Sequence, residues 1–217
     1  IALHHLHDSQ APGLWAMLAA QHDGKDRWYL EALGIGADRQ WDEFFAAYLT
    51  KVGDPLKSDA GRDIVWRART DKAVPYLSQL AGDNGSSLKS RLRYFRAFDF
   101  NTGPAKSKYL LQMLEANYGK DTAFTALVLH HLDTKAVLGS SIAKKALDEL
   151  LLARANTQEF IDLVTRYDHA ASKPQLMQLI LTQDNSSLIG QAATLLLKFN
   201  GKNLVDEALK GKDENKI

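Results

Sequence analysis

The sequence predicts an all-α protein built as a repeat array, and three observations predict it. The first is a recurring unit: an apolar helix, a turn of Asp with Asn or Gly, and a second apolar helix closed by Gly or Asn. It appears as WAMLAAQHDGKDRWYLEALGIGA at 15–37, VPYLSQLAGDNGSSLKSRLRYFRAFDF at 74–100 and LMQLILTQDNSSLIGQAATLLLKFNG at 176–201. Such a unit cannot bury its apolar faces alone, so stacked copies are expected. The second is the lack of sustained two-residue alternation and of β-branched runs, which leaves no stretch reading as a strand. The third is the echo of short words: LHHLHDS at 3–9 against LHHLDTK at 129–135, and DNGSSLK at 83–89 against DNSSLIG at 184–190.

The elements follow in order. Residues 1–10 read as the tail of a helix, broken at Ala11-Pro12-Gly13, with Pro12 suited to the first turn of the next. A helix over 13–21 sets Leu14, Trp15 and Leu18 on one face. Asp23-Gly24 turns the chain into a helix at about 25–34, for which Gly34-Ile35-Gly36 supplies a left-handed cap. Asp38 is expected to cap a helix over 39–51 that Gly53-Asp54-Pro55 ends. Asp59 is expected to cap the helix carrying Ile64, Val65 and Trp66, and 73–81 forms the next with Pro75 in its first turn. Asp83-Asn84-Gly85-Ser86 is the strongest turn signal, after which Ser86 or Ser87 caps a helix to about Phe98. Helices are then expected near 105–117, 121–132, 140–153, 157–167, 173–182, 187–199 and 203–210, with 210–217 a frayed polar tail. The total is roughly a dozen short helices in antiparallel pairs. Their repeats are degenerate and unequal, as in an α–α superhelix of the HEAT or armadillo type.

The bulk composition narrows the function classes. The 217 residues are 45% hydrophobic and 24% charged, the profile of an ordinary globular chain. We read 1–217 as a single helical-array domain, excised from something larger. Twenty-seven basic residues against 26 acidic give a net charge of +1, so no global field draws in nucleic acid or anionic lipid. No apolar run is long enough to span a bilayer, and membrane insertion is not expected. Cysteine is absent, which removes disulfides, thiolate metal sites, a cysteine nucleophile and covalent haem attachment.

Three groups of residues could carry function. His4 and His7 share a helix face at i, i+3 and raise a metal site, against the plainer reading of a repeat position echoed at His130-His131. The stretch from Arg62 to Arg96 has a local balance of +5. Within it Arg67, Arg69, Arg91, Arg93 and Arg96, interleaved with Tyr94 and Phe95, have the composition of a polyanion-binding patch. Against this stands the use of arginines as rungs to acidic residues of neighbouring repeats. The four tryptophans, Trp15, Trp28, Trp41 and Trp66, fall at or near apolar helical positions and read first as core, or else as interaction hot spots. No template for hydrolysis, phosphoryl transfer or dinucleotide binding occurs. No catalytic residue and no cofactor is assigned to this segment.

The words DGKDRWYLEALGIGA (23–37) and W-D-x-F-F-A-A-Y-L (41–49), within residues 19–49, resemble the HEAT-like region of large bacterial multidomain proteins described as membrane-bound or sorbosone-type dehydrogenases with a c-type haem-binding module. The resemblance is specific over about 30 residues and loose elsewhere. It implies a periplasmic or secreted location and a non-catalytic scaffold or protein-interaction role within a redox-type parent protein. Any dehydrogenase activity would belong to other domains of that parent. The partners would be neighbouring domains of the parent chain or another protein, with Trp28 and Tyr29, in the most distinctive words, as the partner-binding residues. The alternative is a nucleic-acid-binding array resembling the HEAT-like DNA glycosylases and using the 62–96 patch.

Overall fold

The computed structural model describes residues 2–210, and among them every regular element is a helix. In chain order these are α1 (Ala11–Ala19), α2 (Arg27–Gly36), α3 (Trp41–Val52), α4 (Asp59–Arg67), α5 (Val74–Gly82), α6 (Leu88–Phe98), α7 (Pro104–Asn117), α8 (Thr122–His131), α9 (Thr134–Gly139), α10 (Ser141–Ala153), α11 (Gln158–Tyr167), α12 (Lys173–Thr182), α13 (Ser186–Lys198) and α14 (Lys202–Lys210). Short 3-10 turns lie at Ala2–His5, Pro55–Lys57, Asp71–Ala73 and Ala170–Ser172. The all-α expectation holds. The frayed tail expected from 210 onward lies, past Lys210, outside the described residues.

Side-chain caps set six of the helix starts among the described residues. Asp26 accepts the Tyr29 amide, Ser58 that of Gly61, Ser87 that of Ser90, Ser140 that of Ala143, Thr157 that of Phe160, and Asn185 those of Ser187 and Leu188. Each such cap contributes about 1 kcal/mol by satisfying an amide that has no partner within the helix. Pro12, Pro75 and Pro174 sit in first turns, where the missing N–H costs nothing.

Four local expectations are corrected. Asp38 does not cap α3: the helix starts at Trp41 behind Gln40, while Arg39 takes a left-handed φ of 64°. Ser58, not Asp59, caps α4, and Asp59 becomes its first residue. Helix α2 does not stop at Gly34 but runs through Gly36, and Ala37 follows in right-handed conformation. Residues 2–5 form a single 3-10 turn rather than the tail of a longer helix. The six-residue α9 had no signal of its own in the sequence.

The chain divides into two compact units, Ile1–Asn117 with His131–Asp133, and Tyr118–His130 with Thr134–Ile217. In the first, α1 packs on α3 and α5 on both α6 and α7, while α2, α4 and α6 follow one another as neighbours. Trp15, fully buried, centres the first layer: its ring meets Trp41 edge-on at 5.5 Å and lies 5.7 Å from Phe44, and its Nε1–H donates to the Leu33 carbonyl at 2.9 Å. Truncating such a residue typically costs about 3–5 kcal/mol. Phe45, Phe95, Phe98, Leu77 and Leu110 continue this core.

In the second unit, α9 packs on α10, α12 on α13, and α11 on α13. Phe160, Tyr167, Leu147, Leu176 and Leu179 are buried there, and the Tyr167 hydroxyl donates to the Leu129 carbonyl.

One glycine is demanded by backbone approach. A Cβ on Gly61 would collide with the Pro55 carbonyl oxygen, whereas one on Gly82 meets nothing within 4 Å. Gly61→Ala is therefore expected to lower stability by about 1–3 kcal/mol in urea unfolding. Gly82→Ala should leave it unchanged or raise it by about 0.5 kcal/mol.

Candidate functional site

The most distinctive segment is built by its own turn chemistry. Asp23 accepts the amides of Lys25 at 2.8 Å and Asp26 at 3.0 Å, bonds that hold its carboxyl below the usual carboxylate range. Gly24 turns with a φ of 76°, and Asp26 then accepts the Tyr29 amide to start α2. This places Trp28 in the first turn facing outward, 83% exposed. Of the four tryptophans read first as core, Trp15 and Trp41 are buried, Trp66 is half-buried, and Trp28 is on the surface. The core reading of Trp28 is thereby corrected, for a helical reason: α2 buries Leu30, Leu33 and Gly34, and Trp28 lies off that face.

Tyr29 is tied down beside it. Its hydroxyl donates to the Leu18 carbonyl at 2.8 Å, and its ring stacks parallel to His22 at 6.1 Å. His22 is buried and donates Nε2–H to Asp63 at 3.2 Å, while its Nδ1 is buried with no partner. Asp63 Oδ1 in turn accepts from Arg93 at 2.7 Å. The Arg93 guanidinium lies 4.4 Å from the centre of the Trp66 ring, and Trp66 Nε1–H donates to the Arg93 carbonyl at 3.1 Å. The series Tyr29, His22, Asp63, Arg93 and Trp66 thus links the α1–α2 turn, α2, α4 and α6 in one polar and aromatic network.

A second rung runs beside it. Glu31 accepts from Arg27 Nε at 2.8 Å within α2 and from Arg67 Nε at 3.0 Å from α4. The Arg67 guanidinium lies where a Cβ on Gly34 would stand. Gly34 is therefore a point of close approach and not a left-handed cap. Burial pulls the Glu31 carboxyl up, but the bonds from both arginines outweigh it and hold it below the usual range.

The remaining arginines of the basic stretch divide differently. Arg69 donates from one terminal nitrogen to the Trp66 and Ala68 carbonyls, both at 2.9 Å, and its guanidinium covers the Phe100 ring at 4.5 Å. Burial lowers it to about 10. Arg91 Nε donates to the Ala81 carbonyl at 3.0 Å, at the C-terminal end of α5, where a cation is favoured. Arg96 is exposed on α6. The structure therefore does not gather Arg67, Arg69, Arg91, Arg93 and Arg96 on one open face. Four of the five serve contacts inside the first unit.

The second unit repeats the device. His130 Nε2 and Glu159 are 3.4 Å apart, Arg154 reaches the same carboxylate at 2.8 Å, and the Tyr118 hydroxyl donates to Glu149 at 2.6 Å. Of these bonds, those that run between helix pairs join residues 27 positions apart for Trp66 and Arg93 up to 41 for His22 and Asp63.

His4 and His7 have different surroundings. His4 Nδ1 bonds the Ile35 carbonyl at 3.1 Å and its ring lies edge-on to His5 at 4.7 Å. His7 lines a polar cleft of about 760 Å³ with Asp8, Asp38, Asp42, Glu43 and Arg69. Asp8 is engaged there in capping α1, and Asp42 accepts from Thr70. Among the described residues no three His, Asp or Glu side chains converge as a metal site would require. No helix among them is long and apolar enough to cross a membrane.

Sequence reasoning missed the roles of the acceptors Glu31 and Asp63, of the donor His22, and of Gly34 as a point of close approach. Their signal was the near-constant separation of each acid from a later arginine, which a search for clustered charge does not detect. Comparison with protein-family models, with curated proteins and with solved structures finds no match.

The sign of the Glu31 linkage is testable. A carboxylate lowered on folding contributes stability above its unfolded value, near 4.5, and loses it as pH falls through the lower folded value. Glu31→Gln is expected to lower the Tm at pH 7, and the offset should shrink progressively as pH falls below 4.5, in thermal melts followed by circular dichroism. A constant offset across that range would contradict the linkage.

Proposed function

We propose that this chain is a non-catalytic, HEAT-like scaffold whose work is protein contact, with the α1–α2 pair and Trp28 as the contact surface. The observation that carries this reading is the use of the basic stretch. Arg67 and Arg93 are held by carboxylates of the preceding helix pair, and Arg69 and Arg91 by backbone carbonyls. A polyanion site needs guanidinium groups free to reach phosphate, and these are engaged. A tryptophan exposed on an outward helix face supports an interaction role, since Trp is enriched where binding energy concentrates.

The wider setting follows from the resemblance at residues 19–49. In that setting the array sits in a periplasmic or secreted redox-type protein and meets a neighbouring domain or a second protein. The array itself then requires no cofactor, and oxidation chemistry belongs to other domains of such a parent.

A binding titration against a mixed-sequence DNA duplex and a single strand at low salt separates this from the nucleic-acid reading. No saturable binding is expected at about 20 mM salt. Tight binding that falls steeply between about 50 and 200 mM would signify several phosphate contacts and overturn the scaffold reading. Trp28→Ala is expected to leave the thermal unfolding midpoint unchanged, as for a residue that packs against nothing essential.

A further inference from the structure

We infer that the polar cavity between α4 and α6 is a binding site for a small neutral polyhydroxyl ligand of the size of a monosaccharide. This adds a ligand to the chain and does not depend on the scaffold reading.

The cavity has a volume of about 580 Å³, within the range of small-ligand sites. Its walls come from α4, α5 and α6 and from the turns at Gly24 and Leu56, all inside the first unit. Helices precede and follow these elements within that unit. Tyr94 lines the cavity from α6. Its side chain is only 7% exposed, yet its hydroxyl bonds none of the described residues. Burial raises this hydroxyl above the ordinary phenol range, Arg93 and Arg62 pull it back, and Asp63 and Asp59 push it further up. Two guanidinium groups and two carboxylates therefore act on one unpartnered hydroxyl.

Charge decides what the cavity can hold. Arg62 and Arg93 line it against Asp59, Asp63 and Asp83, and Arg91 also acts on Asp83. The balance is three against three, so a ligand with net charge of either sign meets as much repulsion as attraction. The pairs are already formed. Arg93 gives a terminal nitrogen to Asp63 at 2.7 Å, and Arg62 gives one to Asp59 at 3.1 Å and its Nε–H to the Leu56 carbonyl at 2.9 Å. A phosphate would have to displace a carboxylate. Each guanidinium nevertheless has more N–H donors than these bonds use, beside a carboxylate with lone pairs to spare. A sugar hydroxyl both donates and accepts, and it is satisfied where such a donor and acceptor stand side by side. Leu80, buried on α5, and Leu56 supply aliphatic surface for the C–H face of a sugar ring.

A heteronuclear NMR titration of the full 217-residue chain tests this with D-glucose, D-galactose and D-mannose, and with glycine and inorganic phosphate as charged probes. Saturable binding of at least one hexose is expected, with a Kd between about 0.1 and 10 mM, the range of a single small polar site. Tyr94→Phe removes only the hydroxyl and should weaken that binding by about 10-fold, the loss of one hydrogen bond. Because this hydroxyl bonds no described group of the protein, the variant keeps the parent circular dichroism spectrum and Tm, which separates lost binding from lost folding. Tyr48→Phe, at a buried tyrosine lining a different cavity, should leave binding unchanged. A chain that shows no saturable shift with any of the hexoses up to about 50 mM overturns the inference. So does hexose binding that Tyr94→Phe leaves intact, or a cavity that takes phosphate or glycine in place of a hexose. None of these results bears on the scaffold reading, which the nucleic-acid titration tests.

Discussion

The first unit depends on a carboxylate placed once per helix pair where an arginine of the next pair can reach it. Glu31 receives Arg67, and Asp63 receives Arg93. The helices joined this way are about ten residues long, too short to persist in water by themselves, so each takes its stability from the helices packed against it. Apolar contacts such as Trp15 on Trp41 and Phe44 supply most of the free energy, because burial of large rings outweighs partly screened charge. The charged pairs supply direction. A one-residue slip of α4 against α2 would move Arg67 off both Glu31 and the hollow at Gly34, so the rung favours a single register.

The rungs also explain a contradiction in the charge. The segment from Arg62 to Arg96 is strongly basic by count, yet the whole chain is near neutral. Two of its arginines are paired with carboxylates in space. Asp63 belongs to the basic stretch itself and Glu31 to the preceding pair, and in space each lies against a guanidinium. His22 extends the same arrangement inward, bonding Asp63 from beneath while its ring stacks on Tyr29. Arg67 and Arg93, which look like phosphate ligands in one dimension, are each held by a carboxylate in three.

The tryptophans make the complementary point for apolar residues. Trp15 and Trp28 are in adjacent helices of one pair, and both stand in words rich in hydrophobic residues. Trp15 lies where α1 meets α3 and is fully buried. Trp28 lies in the first turn of α2, off the stripe formed by Leu30 and Leu33, and is open to solvent. Hydrophobicity alone cannot separate the two, because the deciding quantity is whether another helix pair covers that side.

Local chemistry was legible in the chain itself. The helical class, the turns at Asp23-Gly24 and Asp83–Ser86, the cap at Ser87, and the proline-started helices all follow from short-range sterics and from amides seeking acceptors. Cap positions slipped where two candidates stood side by side, as Asp59 did against Ser58, since either side chain could satisfy the first turn. What only the tertiary structure decided were relations between residues about a repeat apart. Glu31 with Arg67, Asp63 with Arg93 and His22, and the exposure of Trp28, Leu14 and Ile35 depend on which faces meet. The physical reason is that hydrogen bonding within a turn acts over a few residues and is written in consecutive letters. Packing between layers is a choice among faces, and it becomes definite only when the neighbouring layer is in place.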